Sequence, residues 1–278
     1  MIVHLNGEFL PKEQARISPD DRGFLFADGV YEVARVYPAK GLFAAQAHWD
    51  RLERSLRELQ IKLPQPADWQ GISEELLRRN HLKRADAIIY LQITRGAAPR
   101  KHAFPDDATP TIYGFAMPFT PPVEKWKKGV KAITAPDIRW TRCDIKTVSL
   151  LPNVLANQRS KENGADEAVL IRDGVVTEGS HSNFAGVFGD TLVTHPLSNL
   201  ILGGITRGVV LDLCRKLKIP VREFPILETE LAQAREMMLL GTTTEVLPVV
   251  QLNDVTVGNG RPGPVTRKLQ EAFWKLTQ

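Results

Sequence analysis

Cysteine is scarce in this sequence, and its scarcity excludes several classes of protein. Only Cys143 and Cys214 occur among 278 residues, far apart and without a neighbouring histidine pattern. A disulfide framework or a zinc site needs more ligands of this kind at closer spacing. We therefore expect no disulfide, no metal site and a reducing compartment, the cytoplasm.

Long apolar runs and a dominant charge are also missing. No stretch approaches the roughly 20 apolar residues of a membrane-spanning helix, and the opening segment turns polar at Asn6 and Gly7, before a signal-peptide core could form. Lys and Arg number 36 against 32 Asp and Glu, a net charge of +4. The densest basic run, residues 125–131, lacks the interleaved aromatics of a nucleic-acid track and is typical of a solvated face. We expect neither a membrane nor a nucleic-acid partner.

The composition is that of an ordinary globular protein, with 43% hydrophobic and 24% charged residues. Over residues 1–118, short pieces rich in β-branched and aromatic residues predict strands, and apolar spacing predicts helices over Ala47–Gln60 and Ala67–Leu82. Both helices should cover one face of a small sheet. These residues are expected to form a small N-terminal α/β domain.

A proline-rich change in composition marks the expected domain boundary. Pro121 and Pro122 place a linker at residues 119–128, followed by a larger domain at 129–278. That domain is predicted to contain a helix over Leu151–Glu162, then short strands separated by turn signals, and to be mostly antiparallel. The pattern indicates an α+β protein with two lobes.

Two small-polar clusters are candidate phosphate sites. In the first, Gly203–Arg207, two glycines before a helix let backbone amides approach an anion, although a loop with a Thr cap gives the same pattern. The second, Gly241–Glu245, offers hydroxyls and amides between two apolar stretches. Two such clusters strengthen the phosphate hypothesis.

Lys146 and Glu178 are candidate catalytic residues, each with an ordinary alternative. A lysine upstream of a helix is usually an exposed strand residue, whereas a lysine amine desolvated in a cleft stays nucleophilic and can form a Schiff base with an aldehyde. Glu178 ends a predicted strand, where a carboxylate is usually solvated. The residue types alone leave both alternatives open.

Five segments in order carry a family resemblance: Asp28–Glu32, His48–Leu52, Arg139–Lys146, Val176–Asn183 and Gly204–Arg207. Together they resemble the pyridoxal-phosphate aminotransferases of fold type IV, most closely the D-amino-acid (D-alanine) branch. The likeness runs over essentially the whole chain. It implies a two-lobed α+β fold with a small N-terminal α/β lobe and a larger, mostly antiparallel C-terminal lobe that binds the cofactor.

The resemblance also implies roles for individual residues around pyridoxal 5'-phosphate. Lys146 matches the lysine that forms the Schiff base and moves the proton, and Glu178 matches the carboxylate that keeps the pyridine nitrogen protonated. The remaining cofactor contacts implied are Arg51, Ile205, Thr206 and Thr242 on the phosphate and Leu202 against the ring.

Three residues match the group that binds the substrate α-carboxylate in the D-specific branch: Tyr31, Arg100 and His102. Judged without the resemblance, Tyr31 is more typical of a core aromatic on a strand, and the other two are more typical of solvated loop cations. Family members place this loop over the active site of the neighbouring subunit, so the resemblance implies a homodimer.

The expected function is transfer of an amino group from a D-amino acid to a 2-oxo acid. A branched-chain L-aminotransferase and an aminodeoxychorismate lyase share the lysine and the glutamate and are alternatives, and a non-catalytic binding protein is another. Three positions depart from the family pattern, namely His181, Gly241 and Pro152. They leave the cofactor affinity and the range of amino donors open.

Overall fold

The computed structural model describes all 278 residues, and they form two compact units. The first unit contains Met1–Thr120, Ile145–Ser149 and the last two residues, and the second contains Pro121–Asp144 and Leu150–Leu276. Residues 145–149, which the composition change predicts to belong to the second domain, join the first unit. Residues 119–128, expected as a linker, include a helix at Val123–Lys128.

The first unit is built on an antiparallel sheet. Its strands are β1 (Ile2–Leu5), β2 (Glu8–Pro11), β3 (Gly29–Tyr37), β4 (Gly41–Leu42), β5 (Ala87–Thr94) and β6 (Thr111–Pro118), in the order β2-β1-β6-β5-β3-β4. Asn6 and Gly7 both have positive φ, which closes the tight turn between β1 and β2.

The two long helices α2 (Ala45–Glu58) and α3 (Trp69–Arg79) cover one face of this sheet, and the short helix α1 (Arg22–Phe26) precedes β3. Leu52 and Leu56 of α2 and Leu76 of α3 are buried against alternate residues of β3 and β5, such as Val30 and Ile89. The expectation that both long helices pack on the same sheet face is confirmed.

The second unit contains a ten-stranded mixed sheet. Its strands are β7 (Val130–Pro136), β8 (Glu167–Arg172), β9 (Val175–Gly179), β10 (Asn183–Phe188), β11 (Thr191–Thr194), β12 (Val221–Glu223), β13 (Ile226–Leu227), β14 (Glu236–Gly241), β15 (Glu245–Leu252) and β16 (Val255–Thr256). The order is β12-β11-β10-β14-β15-β7-β8-β9-β13, with β16 on β15. Three pairs are parallel (β7 with β8, β7 with β15, β11 with β12) and the others are antiparallel, as expected for most of the sheet.

Four helices follow residue 120: α4 (Val123–Lys128), α5 (Leu151–Glu162), α6 (Ile205–Lys216) and α7 (Pro264–Thr277). The bounds of α5 agree with the sequence prediction, and Pro152 is tolerated because its missing amide falls in the first turn. A 3-10 helix at Glu228–Gln233 connects β13 to β14. None of the helices is both long and apolar enough to cross a bilayer.

Candidate functional site

Lys146 lies at the edge of β3 in the first unit. The Tyr31 amide donates to the Lys146 carbonyl (3.0 Å), and the Val148 amide donates to the Gly29 carbonyl (3.0 Å). Lys146 Nζ lies 4.2 Å from the centre of the Tyr31 ring, and the residue is half-buried. The structure therefore brings the predicted nucleophile and the predicted substrate-side tyrosine together.

Arg51 of α2 is fixed by a buried carboxylate. Glu32 follows Tyr31 on β3, so its side chain points to the opposite, helix-covered face. Arg51 donates through Nε (2.9 Å) and Nη2 (2.6 Å) to the two Glu32 oxygens, and His48 Nδ1 lies 2.8 Å from Glu32 Oε1. Burial raises the pKa of Glu32, but the Arg51 charge and the hydrogen bonds from His48 and Arg51 outweigh it and hold that pKa far below its usual range. Arg51 is thus a fixed cation.

Ser55 connects Arg51 to the lysine segment. It follows Arg51 by one helical turn, so both residues lie on one face of α2. Ser55 Oγ accepts a hydrogen bond from the Lys146 amide (3.3 Å). Ser55 therefore ties the helix that carries Arg51 to the backbone of the segment that carries Lys146.

Glu178 is buried at the end of β9 in the second unit, with 5% of its surface exposed. One oxygen accepts from Asn183 Nδ2 (2.8 Å) and the Leu202 amide (3.1 Å), and the other accepts from Arg139. Burial raises the pKa of Glu178 to about 7, opposed by the Arg139 charge and by the hydrogen bonds from Arg139 and Leu202. A carboxylate held this way can stabilise a cationic group placed against it.

Arg139 was not predicted as a site residue, although it opens one of the family segments. Its guanidinium bonds both oxygens of Asp137 (Nε 2.8 Å, Nη2 2.9 Å) and the Leu200 carbonyl (3.1 Å), and it contacts Glu178. Arg172 also pairs with Asp137, at 3.0 Å. These bonds join the ends of β7, β8 and β9, and the sequence signal for them is an Asp-x-Arg directly after β7.

The start of α6 provides backbone amides for an anion. Gly204 is the extended N-cap residue (φ −68°, ψ 133°), and no side chain caps the helix, so the alternative of a threonine cap is wrong. A Cβ at Gly204 would lie 1.9 Å from Asn183 Oδ1. Because Asn183 Nδ2 also donates to the Leu202 carbonyl (2.8 Å) and to Glu178, Asn183 links the buried carboxylate and Leu202 and lies against Gly204, the residue that precedes the amides of Ile205 and Thr206.

The turn between β14 and β15 contains an unsatisfied hydroxyl. Thr244 belongs to the second small-polar cluster, and its Oγ1 is buried without a hydrogen-bond partner; Thr242 lies half-buried two residues before it. A Cβ at Gly241 would lie 2.6 Å from Thr244 Oγ1 and 3.7 Å from the Ser182 Cβ, so the turn adjoins the start of β10. A buried donor without an acceptor suits a bound phosphate. The residues of this unit fit the group that the resemblance implies.

Arg100 and His102 lie in the exposed loop that follows β5. No hydrogen bond, ion pair or ring contact joins either side chain to Tyr31 or Lys146. Instead the His102 ring lies 5.5 Å from the Phe26 ring, and the Arg100 guanidinium lies 5.0 Å from it. Their substrate role stays a prediction.

His181, one of the departures from the family pattern, pairs with a buried carboxylate. Its Nδ1 lies 2.9 Å from Glu167 Oε2, and about half of its side chain (49%) is exposed. Glu167 also accepts from the hydroxyls of Ser180 and Ser182. Burial raises the pKa of Glu167, but the hydrogen bond and charge of His181 and the hydrogen bond from Ser180 outweigh this effect and hold the pKa below its usual range. His181 thus helps to hold the turn that leads from β9 into β10.

Comparison with known proteins shows one family along nearly the whole chain. Residues 29–252 match the family model described as amino-transferase class IV. The chain is 42% identical over 274 residues to a D-alanine aminotransferase of Bacillus licheniformis (98% of this chain, 96% of the relative). It is 41% identical over 278 residues to that of Staphylococcus haemolyticus (99% and 98%).

Solved structures of similar fold are branched-chain amino acid aminotransferases. The Escherichia coli enzyme superposes with a TM-score of 0.93 at 26% identity, covering 100% of this chain and 94% of that one. The enzyme of Thermobaculum terrenum in its PLP form gives a TM-score of 0.85 at 26% identity, covering 99% and 93%.

Proposed function

The chain belongs to the class IV aminotransferases, and from that premise we propose how its residues carry out transamination. The fold type IV resemblance and the α+β fold class expected from the sequence are confirmed. The protein is an aminotransferase that depends on pyridoxal 5'-phosphate.

The enzyme moves the amino group of a D-amino acid, for example D-alanine, to a 2-oxo acid such as 2-oxoglutarate. The observation that carries this conclusion is the 42% identity to a D-alanine aminotransferase over 98% of the chain. Identity to the branched-chain enzymes is 26%, although their fold is the same. The branched-chain L-aminotransferase therefore remains the second candidate.

Lys146 is the amine that we assign to covalent binding of the coenzyme and to proton transfer at the substrate α-carbon. When bound, pyridoxal 5'-phosphate supplies an aldehyde for the amino group and a ring that withdraws electrons from that carbon. The edge position of Lys146 on β3, fixed by two backbone hydrogen bonds, directs its amine beside Tyr31. A fixed amine delivers the proton to one face of a planar carbon, which sets the chirality of the product.

Glu178 is the carboxylate that we assign to the pyridine nitrogen. Burial disfavours the ionised form of Glu178, and a cationic partner placed against the carboxylate stabilises that form. Leu202, whose amide donates to the same carboxylate, is assigned to contact with the ring.

The phosphate contacts are assigned in each unit separately. In the first unit Arg51 is the phosphate-binding cation, because Glu32 fixes its orientation. In the second unit the amides of Ile205 and Thr206, at the uncapped start of α6, and the Thr242 hydroxyl are assigned to phosphate oxygens. Thr244 is added to this set by its unpartnered buried hydroxyl.

Tyr31, Arg100 and His102 are assigned to the substrate α-carboxylate. Tyr31 lies beside the Lys146 amine, and the two loop residues are exposed and cationic or titratable. A homodimer is proposed in which this loop serves the neighbouring subunit.

An exposed apolar row supports a second copy as partner. Leu151, Val154 and Leu155 on α5 are 69%, 57% and 54% exposed and occupy one helix face. Sedimentation should show a dimer for the wild type, and Val154→Asp should weaken the dimer; a monomeric wild type contradicts the proposal.

The two free, buried cysteines support the proposed location in the cytoplasm.

Assays with both enantiomers test the function directly. D- and L-alanine, then D- and L-leucine, are each supplied with 2-oxoglutarate to the purified enzyme loaded with coenzyme. We expect turnover of D-alanine to exceed that of both L-amino acids. Faster turnover of L-leucine establishes the branched-chain alternative, and pyruvate release from aminodeoxychorismate without an acceptor establishes the lyase.

A further inference from the structure

Arg22, at the start of α1, binds the backbone of the loop that carries Arg100 and His102. The residue is buried, with 3% of its surface exposed. Its Nη1 donates to the Lys101 carbonyl (2.6 Å) and the Ala103 carbonyl (3.4 Å), and its Nη2 donates to the His102 carbonyl (3.3 Å). One guanidinium thus contacts three consecutive carbonyls beside the predicted carboxylate-binding residues.

Asp28 fixes this guanidinium from the other side. Its Oδ2 accepts from Arg22 Nε (2.8 Å) and from Arg95 Nε (2.8 Å), and Arg95 also donates to the Leu59 carbonyl at the end of α2 (2.7 Å). Burial raises the pKa of Asp28, but hydrogen bonds from Arg95 and Arg22 outweigh it and hold that pKa below its usual range. Arg22 is therefore anchored through Asp28 and Arg95 to a long helix.

The base of the loop is held by the residue before Arg22. Asp21 Oδ2 accepts from Thr94 Oγ1 (2.9 Å), just before the loop, and from Thr111 Oγ1 (2.6 Å), just after it. The Arg22 amide donates to the Gly96 carbonyl (2.9 Å). Asp21 and Arg22 thus bind both ends of the loop and its central carbonyls.

Phe26 lies one helical turn after Arg22 and contacts the loop side chains. The ring is 5.5 Å from the His102 ring, and the guanidinium groups of Arg100 and Arg22 lie 5.0 Å and 4.8 Å from its centre. Contact with an aromatic face limits the conformations available to a cationic side chain. The same short helix therefore restricts both the backbone and the side chains of the loop.

We propose that Arg22 is a positioning residue that sets the affinity for the substrate α-carboxylate by fixing the backbone of residues 101–103. The proposal rests on the proposed function, in which Arg100 and His102 bind that carboxylate. Both the amino acid and the 2-oxo acid carry this group, so a looser loop weakens binding of both substrates. The effect should appear in KM rather than kcat, because the loop does not contact Lys146.

The conservative variant Arg22→Lys tests the assignment. An ammonium keeps the charge beside Asp28, but it cannot donate in a fixed fork to three carbonyls. The matched control is Arg16→Lys, because Arg16 is exposed and bonds only the carbonyls of Glu13 and Ala15. Phe26→Leu is a second variant that loosens the loop without altering the buried charges.

Two measurements are made on each folded protein. Trypsin cleavage after Arg100 or Lys101, followed by mass spectrometry without substrate or added coenzyme, reports the mobility of the loop. Steady-state kinetics give KM for D-alanine and for 2-oxoglutarate. For Arg22→Lys we expect cleavage and both KM values to rise about tenfold, the loss expected from one charge-assisted hydrogen bond, with kcat changed less than about twofold. Phe26→Leu should also raise the cleavage rate and the two KM values, and Arg16→Lys should match the wild type in each measurement.

The outcomes separate the inference from the function on which it rests. Unchanged trypsin cleavage in both Arg22→Lys and Phe26→Leu overturns the proposal that Arg22 fixes the backbone of the loop. Faster cleavage with unchanged KM values overturns the link between the loop and the carboxylate. A wild type that does not turn over D-alanine refutes the proposed function. The trypsin comparison then still decides whether Arg22 fixes the backbone of residues 101–103.

Discussion

Removing the charge of Glu32 should destabilise the protein far more than removing the charge of an equally well-paired carboxylate on the surface. Glu32 is buried and bonded to Arg51 and His48. Glu75 is bonded to Arg78 and Arg79 on the helix surface, with 28% of its side chain exposed to solvent. The comparison isolates the effect of burial, because both carboxylates have two cationic or titratable partners.

The expected magnitude follows from leaving the Arg51 guanidinium in the interior without its countercharge. Breaking a buried ion pair on one side costs about 3 kcal/mol or more, since the remaining charge is neither solvated nor paired. In Glu32→Gln the amide oxygen still accepts one hydrogen bond from Arg51, which places the loss near the lower end, about 3 kcal/mol. Glu75→Gln should leave the unfolding free energy close to that of the wild type, because solvent screens the surface pairs.

Urea unfolding of the coenzyme-free proteins measures the change in unfolding free energy for each variant. A pH series adds a test of sign: the pKa of Glu32 is lowered on folding, so its ion pair stabilises the protein above the pKa of the unfolded carboxyl and is lost only as the pH falls through the folded value. The difference between wild type and Glu32→Gln should therefore stay constant from about pH 8 to about pH 6 and shrink only below about pH 4. Equal losses in the two variants, or a difference that closes by about pH 6, would refute the reasoning.

Three further predictions concern the other candidate residues. Lys146→Ala should abolish transamination and retain the circular dichroism spectrum, because this edge lysine contributes little packing; full activity contradicts its assignment. Arg139→Gln removes the cation that lowers the pKa of Glu178, so the acid limb of the turnover profile should move to higher pH by about one unit or more. The matched variant Arg142→Gln, which loses a pair with Asp144 and does not contact Glu178, should leave that limb in place, and equal shifts in the two variants contradict the role of Arg139. Gly204→Ala places a Cβ 1.9 Å from Asn183 Oδ1 and should weaken coenzyme binding about tenfold in an absorbance titration, whereas Gly208→Ala, with open space around it, should not; equal effects contradict the role of the α6 start.

Much of the fold could be predicted because its elements carry strong local patterns. A run rich in β-branched and aromatic residues marks β5, and apolar spacing with Pro152 and Gly164 marks the observed limits of α5. The five residues of α1 and the six of α4 are too short to show a helical period.

The candidate residues were predicted by family resemblance, whereas the groups that hold them were not. Arg139, Glu32 and Asn183 act through bonds to residues distant in sequence or on other elements, and a single sequence does not show such pairs. Residues 145–149 were placed with the second domain because they lie between its segments, but their backbone bonds to β3 assign them to the first unit.

That assignment has a consequence for synthesis on the ribosome. When residue 120 leaves the exit tunnel, the nascent first unit still lacks residues 145–149, so the Gly29 carbonyl and the Tyr31 amide have no partner. An unpaired strand edge is prone to intermolecular pairing. A truncated chain that stops at residue 120 should therefore aggregate, whereas the same fragment mixed with a synthetic peptide of residues 144–150 should be protected.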